Sequence, residues 1–289
     1  MTTDGSPRAA GSRRLQLPDL PEGLGEALWL FVLMRVGLGL LALFVWAHVT
    51  IPGPCHFELA LNGWTTIPPL ADTGFEFPLV GVWQRWDACW YSKVATYGYE
   101  LGEDSVNFWP VLPGLMRVVA WPLGGNVALS GLIVSGVAYV AAVTGLYRLV
   151  TRDFDREVAQ RTVLFITIAP AALFLFAPFT EAPFLAFSVW AVFAARERLW
   201  VLAALAGLLA GLTRIQGVFL VLPIAWEAWV AWRERRGATG QALPAPSSIL
   251  AAVAPAIGFG SFLVATAVMT GRTPLDTQEM DYQRDLGFP

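Results

Sequence analysis

An all-α, polytopic membrane protein is the fold class this sequence predicts, and three observations predict it. Of 289 residues, 56% are hydrophobic and 14% charged, with a mean hydropathy of +0.56, whereas soluble domains carry about 25% charged residues. Several apolar runs are long enough to cross a hydrocarbon core roughly 30 Å thick at about 1.5 Å per residue. The basic residues gather between alternate runs, as cytoplasmic loops require. Net charge is −3 and spread out, and no basic tract marks a nucleic-acid surface. No nucleic-acid partner is expected.

Residues 1–25 are rich in Gly, Ser, Pro and Arg and lack an apolar run, so they read as a disordered cytoplasmic tail rather than a signal peptide. Residues 26–289 read as one transmembrane unit. Its first span runs from about Ala27 to Val49 and holds Arg35 in its inner half. A buried arginine is a functional hypothesis by default, but from there it can snorkel to the cytoplasmic face or serve helix packing.

Residues 50–126 form a long first exterior loop with eight prolines and many aromatics. Loops of this length without structure are uncommon, so short helices lying on the membrane surface are expected. The stretch from Phe108 to Gly124 is apolar but short and broken by proline, as in a juxtamembrane or re-entrant element. Later spans are expected at about Val127–Val150, Thr162–Ala177, Ala182–Ala195, Leu199–Thr213, Gly217–Trp232 and Ile249–Thr270. With the N-terminus inside, cytoplasmic segments hold 12 Arg and Lys residues and exterior ones 6. That bias supports seven spans and places the first loop outside.

Inside that loop, Arg85-Trp86-Asp87-Ala88-Cys89-Trp90-Tyr91 sets one carboxylate among Trp and Tyr side chains. Such amphipathic rings sit at the lipid headgroup level, so Asp87 is placed to reach the head of a membrane lipid. If the segment is one helix, Trp83, Trp86, Trp90, Val94 and Tyr97 share an apolar face. The plainer reading of Asp87 is a solvated or capping residue. Its loop also holds Cys55 and Cys89, the two cysteines of the chain; they allow one disulfide, or are two small apolar residues. The two histidines, His48 and His56, form no metal-ligand cluster. Neither a metal nor a cofactor is expected.

The expected topology puts two more polar turns on the side of Asp87: Pro178-Phe179-Thr180-Glu181 and Thr213-Arg214-Ile215-Gln216-Gly217. Glu181 alone would read as a helix N-terminal carboxylate, and Arg214 alone as a turn residue. Together with Asp87 they make two carboxylates and an arginine on one membrane face, which suits transfer from a phosphate-linked donor.

In order along the chain, Arg85-Trp86-Asp87 with Gly98-Tyr99, Phe108-Trp109-Pro110-x-x-Pro113, Ala177-Pro178-Phe179-Thr180-Glu181 and Leu212-Thr213-Arg214-x-x-Gly217 resemble bacterial relatives of the second mannosyltransferase of glycosylphosphatidylinositol-anchor synthesis (PIG-V-like), within the GT-C superfamily. The resemblance covers roughly Leu28 to Val221. It implies a polyprenyl-phosphate-sugar donor, usually mannose, a lipid or glycan acceptor, and an aspartate of the first exterior loop at the reaction centre; Asp87 is the matching position. Two departures stand out. Members of that family continue through further spans, whereas this chain stops at Gly287-Phe288-Pro289, as a fragment would. The Gln-rich aromatic stretch of the family is only loosely matched by Thr277 to Arg284.

Polyprenyl phosphate is a good leaving group that needs charge stabilisation more than a proton, and Arg214, with Lys93 or Arg117, is a candidate to supply it. The acceptor hydroxyl needs a base, and Asp87 is the candidate catalytic residue. Arg85, Trp86, Lys93, Tyr99, Glu181, Arg214 and Gln216 form the candidate substrate-binding set. The expected function is a cell-membrane mannosyl transfer at the exterior face, with inversion. The alternative is a transporter or lipid flippase, which usually shows internal repeats and broken mid-membrane helices.

Overall fold

The computed structural model describes residues 21–56, 59, 64, 66–100, 104–239 and 243–276; the tail through residue 20 and the stretch Thr277 to Arg284 lie outside them. Regular structure among the described residues is helical. The first apolar run is α1 (Leu24–His48). The first loop contributes α2 (Glu76–Leu79), α3 (Asp87–Tyr97) and α4 (Val111–Ala120), with 3-10 turns at Gly81–Trp83, Asp104–Asn107 and Trp121–Leu123. Then follow α5 (Val127–Asp153), α6 (Arg156–Ile168), α7 (Leu173–Phe176), α8 (Glu181–Arg196), α9 (Trp200–Gly211), α10 (Val221–Thr239) and α11 (Pro246–Thr270).

Each of the seven expected spans coincides with a helical segment. Four are long and apolar enough to cross a membrane by length and composition: α1, α5, the segment from Ile215 to Gly237 that contains most of α10, and α11. A fifth is reached if α6 and Pro170–Phe176, which meet at a 71° bend, count as one. Pro170 explains the bend, since it has no N–H to continue the ladder and forces Ala169 into an extended conformation (ψ 146°).

Connections fall at alternate ends of the bundle. One end is laced by arginines: Arg152 pairs with Glu197 at 2.5 Å, Arg196 with Asp153, Arg198 with Glu234 at 3.1 Å and Arg156 with Glu26 at 3.9 Å. The other end carries the first loop and the turns before α8 and after α9. Helix α1 rests on this bundle by one flank only, with Phe31 over Gly136 of α5, and leaves Val36, Leu40 and Phe44 exposed, as a lipid-facing helix does. Helix α4 buries Leu112 and Met116 yet exposes Leu115 and Val118, and Trp121 follows it exposed, which fits the expected juxtamembrane element.

Helices α9 and α11 touch backbone to backbone. A Cβ on Gly211 would lie 2.1 Å from the carbonyl oxygen of Pro255, and one on Gly258 2.2 Å from that of Leu208. Small residues permit this approach, as in membrane helix pairs. The loop joins the same unit, because Trp109 stacks on Phe259 at 5.7 Å and packs on Phe262 at 4.7 Å.

Candidate active site

Helix α3 starts where its neighbours force it to. Gln84 is buried and bridges two strands of loop, accepting from the Ala71 amide and donating to the Pro69 carbonyl, both at 2.9 Å. The Arg85 guanidinium donates to the carbonyls of Pro52 (2.6 Å) and Gly53. The Cys55 amide donates to the Gln84 carbonyl at 2.9 Å, and Cys55 is disulfide-bonded to Cys89 with Cα atoms 5.7 Å apart. Between these ties Trp86 is held at φ +50°, ψ −130°, a left-handed φ that a bulky residue keeps only when its surroundings dictate it. Asp87 is therefore the first helical residue, solvent-accessible and at the positive end of the helix.

This geometry corrects one expectation. The segment is not helical through 83–97: Trp83 lies in a separate 3-10 turn and Trp86 at the kink, so neither shares the face formed by Trp90, Val94 and Tyr97. Helix α3 buries Ala88, Cys89, Tyr91, Ser92, Lys93, Val94 and Ala95.

Ala88, next to Asp87, packs in one small core with Ala177 and Phe179 of the turn before α8. Pro178 of that turn sits over Gly131 of α5, where a Cβ would come within 2.8 Å of its ring. Glu181, the first residue of α8, places Oε1 2.5 Å from Nη1 of Arg214, while its Oε2 is buried with no hydrogen-bond partner among the described residues. Arg214 owes its position to Gly217. A Cβ there would stand 2.2 Å from the Ala210 carbonyl oxygen, so only glycine lets the 3-10 turn Ile215–Leu220 fold back over the end of α9.

Tyr91, one turn beyond Asp87, is the centre of the cluster. Its buried phenol lies near Thr180 and within electrostatic range of Asp87, Glu181 and Arg214; burial first, and the two carboxylates after it, push it above the ordinary tyrosine range, while Thr180 and Arg214 oppose them. Thus Glu181 and Arg214 pair directly, and Asp87 shares with them the neighbourhood of Tyr91. Sequence reasoning did not single out Tyr91 or Thr180 as site residues. The spacing of four from Asp87 was the available signal for Tyr91, and membership in the 178–181 turn for Thr180.

The other candidates are placed elsewhere. Lys93 is buried, pairs with Glu100 at 3.5 Å and lies over the rings of Trp64 and Trp90. Arg117 donates to the carbonyls of Ala95 (2.7 Å) and Thr96 (2.8 Å), at the end of α3. Arg85 serves the loop closure described above. Gln216 is exposed on its turn. Tyr99 is buried and donates its hydroxyl to the Phe108 carbonyl at 2.7 Å; burial, then the neighbouring Tyr91, raise its pKa. Trp86 is exposed and lines an apolar cavity of about 320 Å³ with Trp83, Ala177 and Phe179.

Of the two expectations for Arg35, snorkelling or helix packing, its contacts match the second. Its Nη2 donates to the Phe176 carbonyl at 2.8 Å and its guanidinium lies 5.2 Å from the ring centre of Trp83. It therefore belongs to the end of the bundle that carries Asp87.

Comparison with known proteins finds relatives of the same family. GPI mannosyltransferase 2 of Cryptococcus neoformans var. neoformans serotype D (strain JEC21 / ATCC MYA-565) is 36% identical over 107 residues, which cover 34% of this chain and 25% of that protein. GPI mannosyltransferase 2 of Gibberella zeae (strain ATCC MYA-4620 / CBS 123657 / FGSC 9075 / NRRL 31084 / PH-1) is 31% identical over 108 residues, 35% of this chain and 24% of that protein. The chain thus spans about a quarter of the length of the curated relatives it matches. No solved structure matches. A family model described as Mannosyltransferase (PIG-V) matches residues 25–224, which contain every member of the Asp87, Tyr91, Glu181 and Arg214 cluster; the chain belongs to that mannosyltransferase family.

Proposed function

We propose that this protein transfers mannose from a polyprenyl-phosphate donor to an acceptor hydroxyl at the exterior membrane face. The observation that carries this reading is the convergence of Asp87, Glu181 and Arg214, from three separate connections, around Tyr91. Asp87 is the accessible carboxylate and takes the proton of the acceptor hydroxyl as its oxygen bonds to the anomeric carbon. The bond from that carbon to the phosphate oxygen breaks in the same displacement, so the centre inverts and polyprenyl phosphate departs with the electron pair. Glu181, held by Arg214 through Oε1, offers Oε2 to a sugar or acceptor hydroxyl. Arg214 holds that carboxylate in position.

Two features support the exterior side. The bundle end opposite Asp87 concentrates the arginines, as cytoplasmic ends do, and the Cys55–Cys89 disulfide belongs to an oxidising compartment.

Membranes containing the full chain, given labelled polyprenyl-phosphate-mannose and a panel of lipid and glycan acceptors, should transfer label. A folded protein that moves no sugar from any such donor would return the molecule to the transporter reading. Engineered cysteines at 87 or 181 should react from outside intact cells, and at 156 only after permeabilisation.

A further inference from the structure

Arg35 is the one strongly basic group in α1, and it faces inward within the membrane-spanning part of the chain. Its polar partner among the described residues is the Phe176 carbonyl, while its Nη1 is buried with no partner. A guanidinium in such a setting is costly unless an anion compensates it. Arg214 already has Glu181 at 2.5 Å, and Arg85 donates to the Pro52 and Gly53 carbonyls. Arg35 therefore has the unmet demand for negative charge.

What lies beside Arg35 indicates the rest of the ligand. It lines a cavity of about 730 Å³ whose other walls are apolar, among them Leu28 and Phe31 of α1, Leu132 and Gly136 of α5, and Trp83. That volume falls within the range of about 300–1,000 Å³ typical of small-molecule sites. A cation at one point of an apolar space suits a ligand with an anionic head and a hydrocarbon tail. Resting on the reading of a lipid-linked donor, we propose that this cavity holds the phosphate and adjoining chain of the polyprenyl phosphate, with Arg35 as the phosphate contact. The connection to the reaction centre is short in chain terms: Trp83 precedes Asp87 by four residues, and Phe176 precedes Ala177, which packs on Ala88.

The test measures binding of polyprenyl phosphate without sugar to the purified full chain in phosphatidylcholine nanodiscs, against neutral polyprenol and phosphatidylglycerol. Wild type should prefer polyprenyl phosphate over polyprenol by about ten- to hundredfold, the scale of one charge-assisted hydrogen bond, and Arg35→Gln should abolish that preference. Gly39 also lines the cavity, and a Cβ there meets nothing within 4 Å. Gly39→Leu should therefore fold, fill the space and weaken both polyprenyl ligands, whereas Gly37→Leu, on an exposed part of α1, should change neither. Asp87→Asn should bind polyprenyl phosphate like wild type. An undiminished preference in Arg35→Gln, or equal binding of phosphatidylglycerol, would overturn the assignment. Because the readout needs no sugar transfer, this result stands or falls separately from the transferase activity.

Discussion

Nη1 of Arg214 lies 2.5 Å from Oε1 of Glu181, although 33 residues separate them in sequence. The pair ties the turn after α9 to the start of α8, and both side chains are about one-third exposed. Their value is thus one of geometry rather than of stability, since solvent screens pairs of this kind to roughly 1 kcal/mol or less.

A double-mutant cycle should show this dependence. Glu181→Gln and Arg214→Gln should each lower kcat, and the double variant should lose less than the sum of the two, with a coupling of about 0.5–3 kcal/mol in activation free energy. Arg214→Lys should recover part of the activity but not the directional hold of the planar fork. Strictly additive losses would separate the two roles.

Asp87→Asn keeps size and hydrogen bonding but cannot accept a proton at neutral pH. Turnover should fall by roughly two to four orders of magnitude with little change in donor binding. Near-normal turnover in folded protein would remove Asp87 as the base.

Alkaline pH should destabilise the loop through its buried phenols. Tyr91 and Tyr99 have folded-state pKa values raised above the ordinary value of about 10, so both are neutral in folded and unfolded chains below it. Above it the unfolded chain loses protons that the folded chain retains, and stability declines as pH rises. Melting temperatures followed from about pH 9 to 11 should drop for wild type and drop less for Tyr91→Phe.

Gly217→Ala introduces a Cβ where 2.2 Å separates it from a main-chain oxygen. We expect a loss of about 1–3 kcal/mol in stability together with reduced kcat, as Arg214 is displaced. A thermal melt and a kinetic assay on the same preparation check both.

Cys55→Ala with Cys89→Ala releases a closed loop with a sequence separation of 34, which a chain-entropy model values at about 4 kcal/mol. The melting temperature of wild type should fall on reduction, and that of the double variant should not respond to reductant.

Much of this was legible in the sequence, because the signals are local. The helical segments follow from apolar length, and the nearness of the 181 and 214 turns from a topology that puts both on one side. What the sequence leaves unreadable are contacts that no local period encodes. Arg35 is bound to a carbonyl 141 residues away, one left over where Leu173–Phe176 stops short of Pro178. Lys93 looked like a phosphate partner because its charge was visible and its aromatic enclosure with Glu100 was not. The kink at Trp86 escaped notice because its causes, at Pro52, Gly53 and Cys55, lie over thirty residues upstream.

The disulfide also bears on the order in which the molecule is made. Chains emerge N-terminus first, and both Cys55 and Cys89 precede every helix of the bundle from α5 onward. On an oxidising side the bond can close while Glu181 and Arg214 are still unsynthesised. Asp87 would then be a fixed post set early, and each later turn would find its place against it as the growing chain delivers α8 and then the turn after α9.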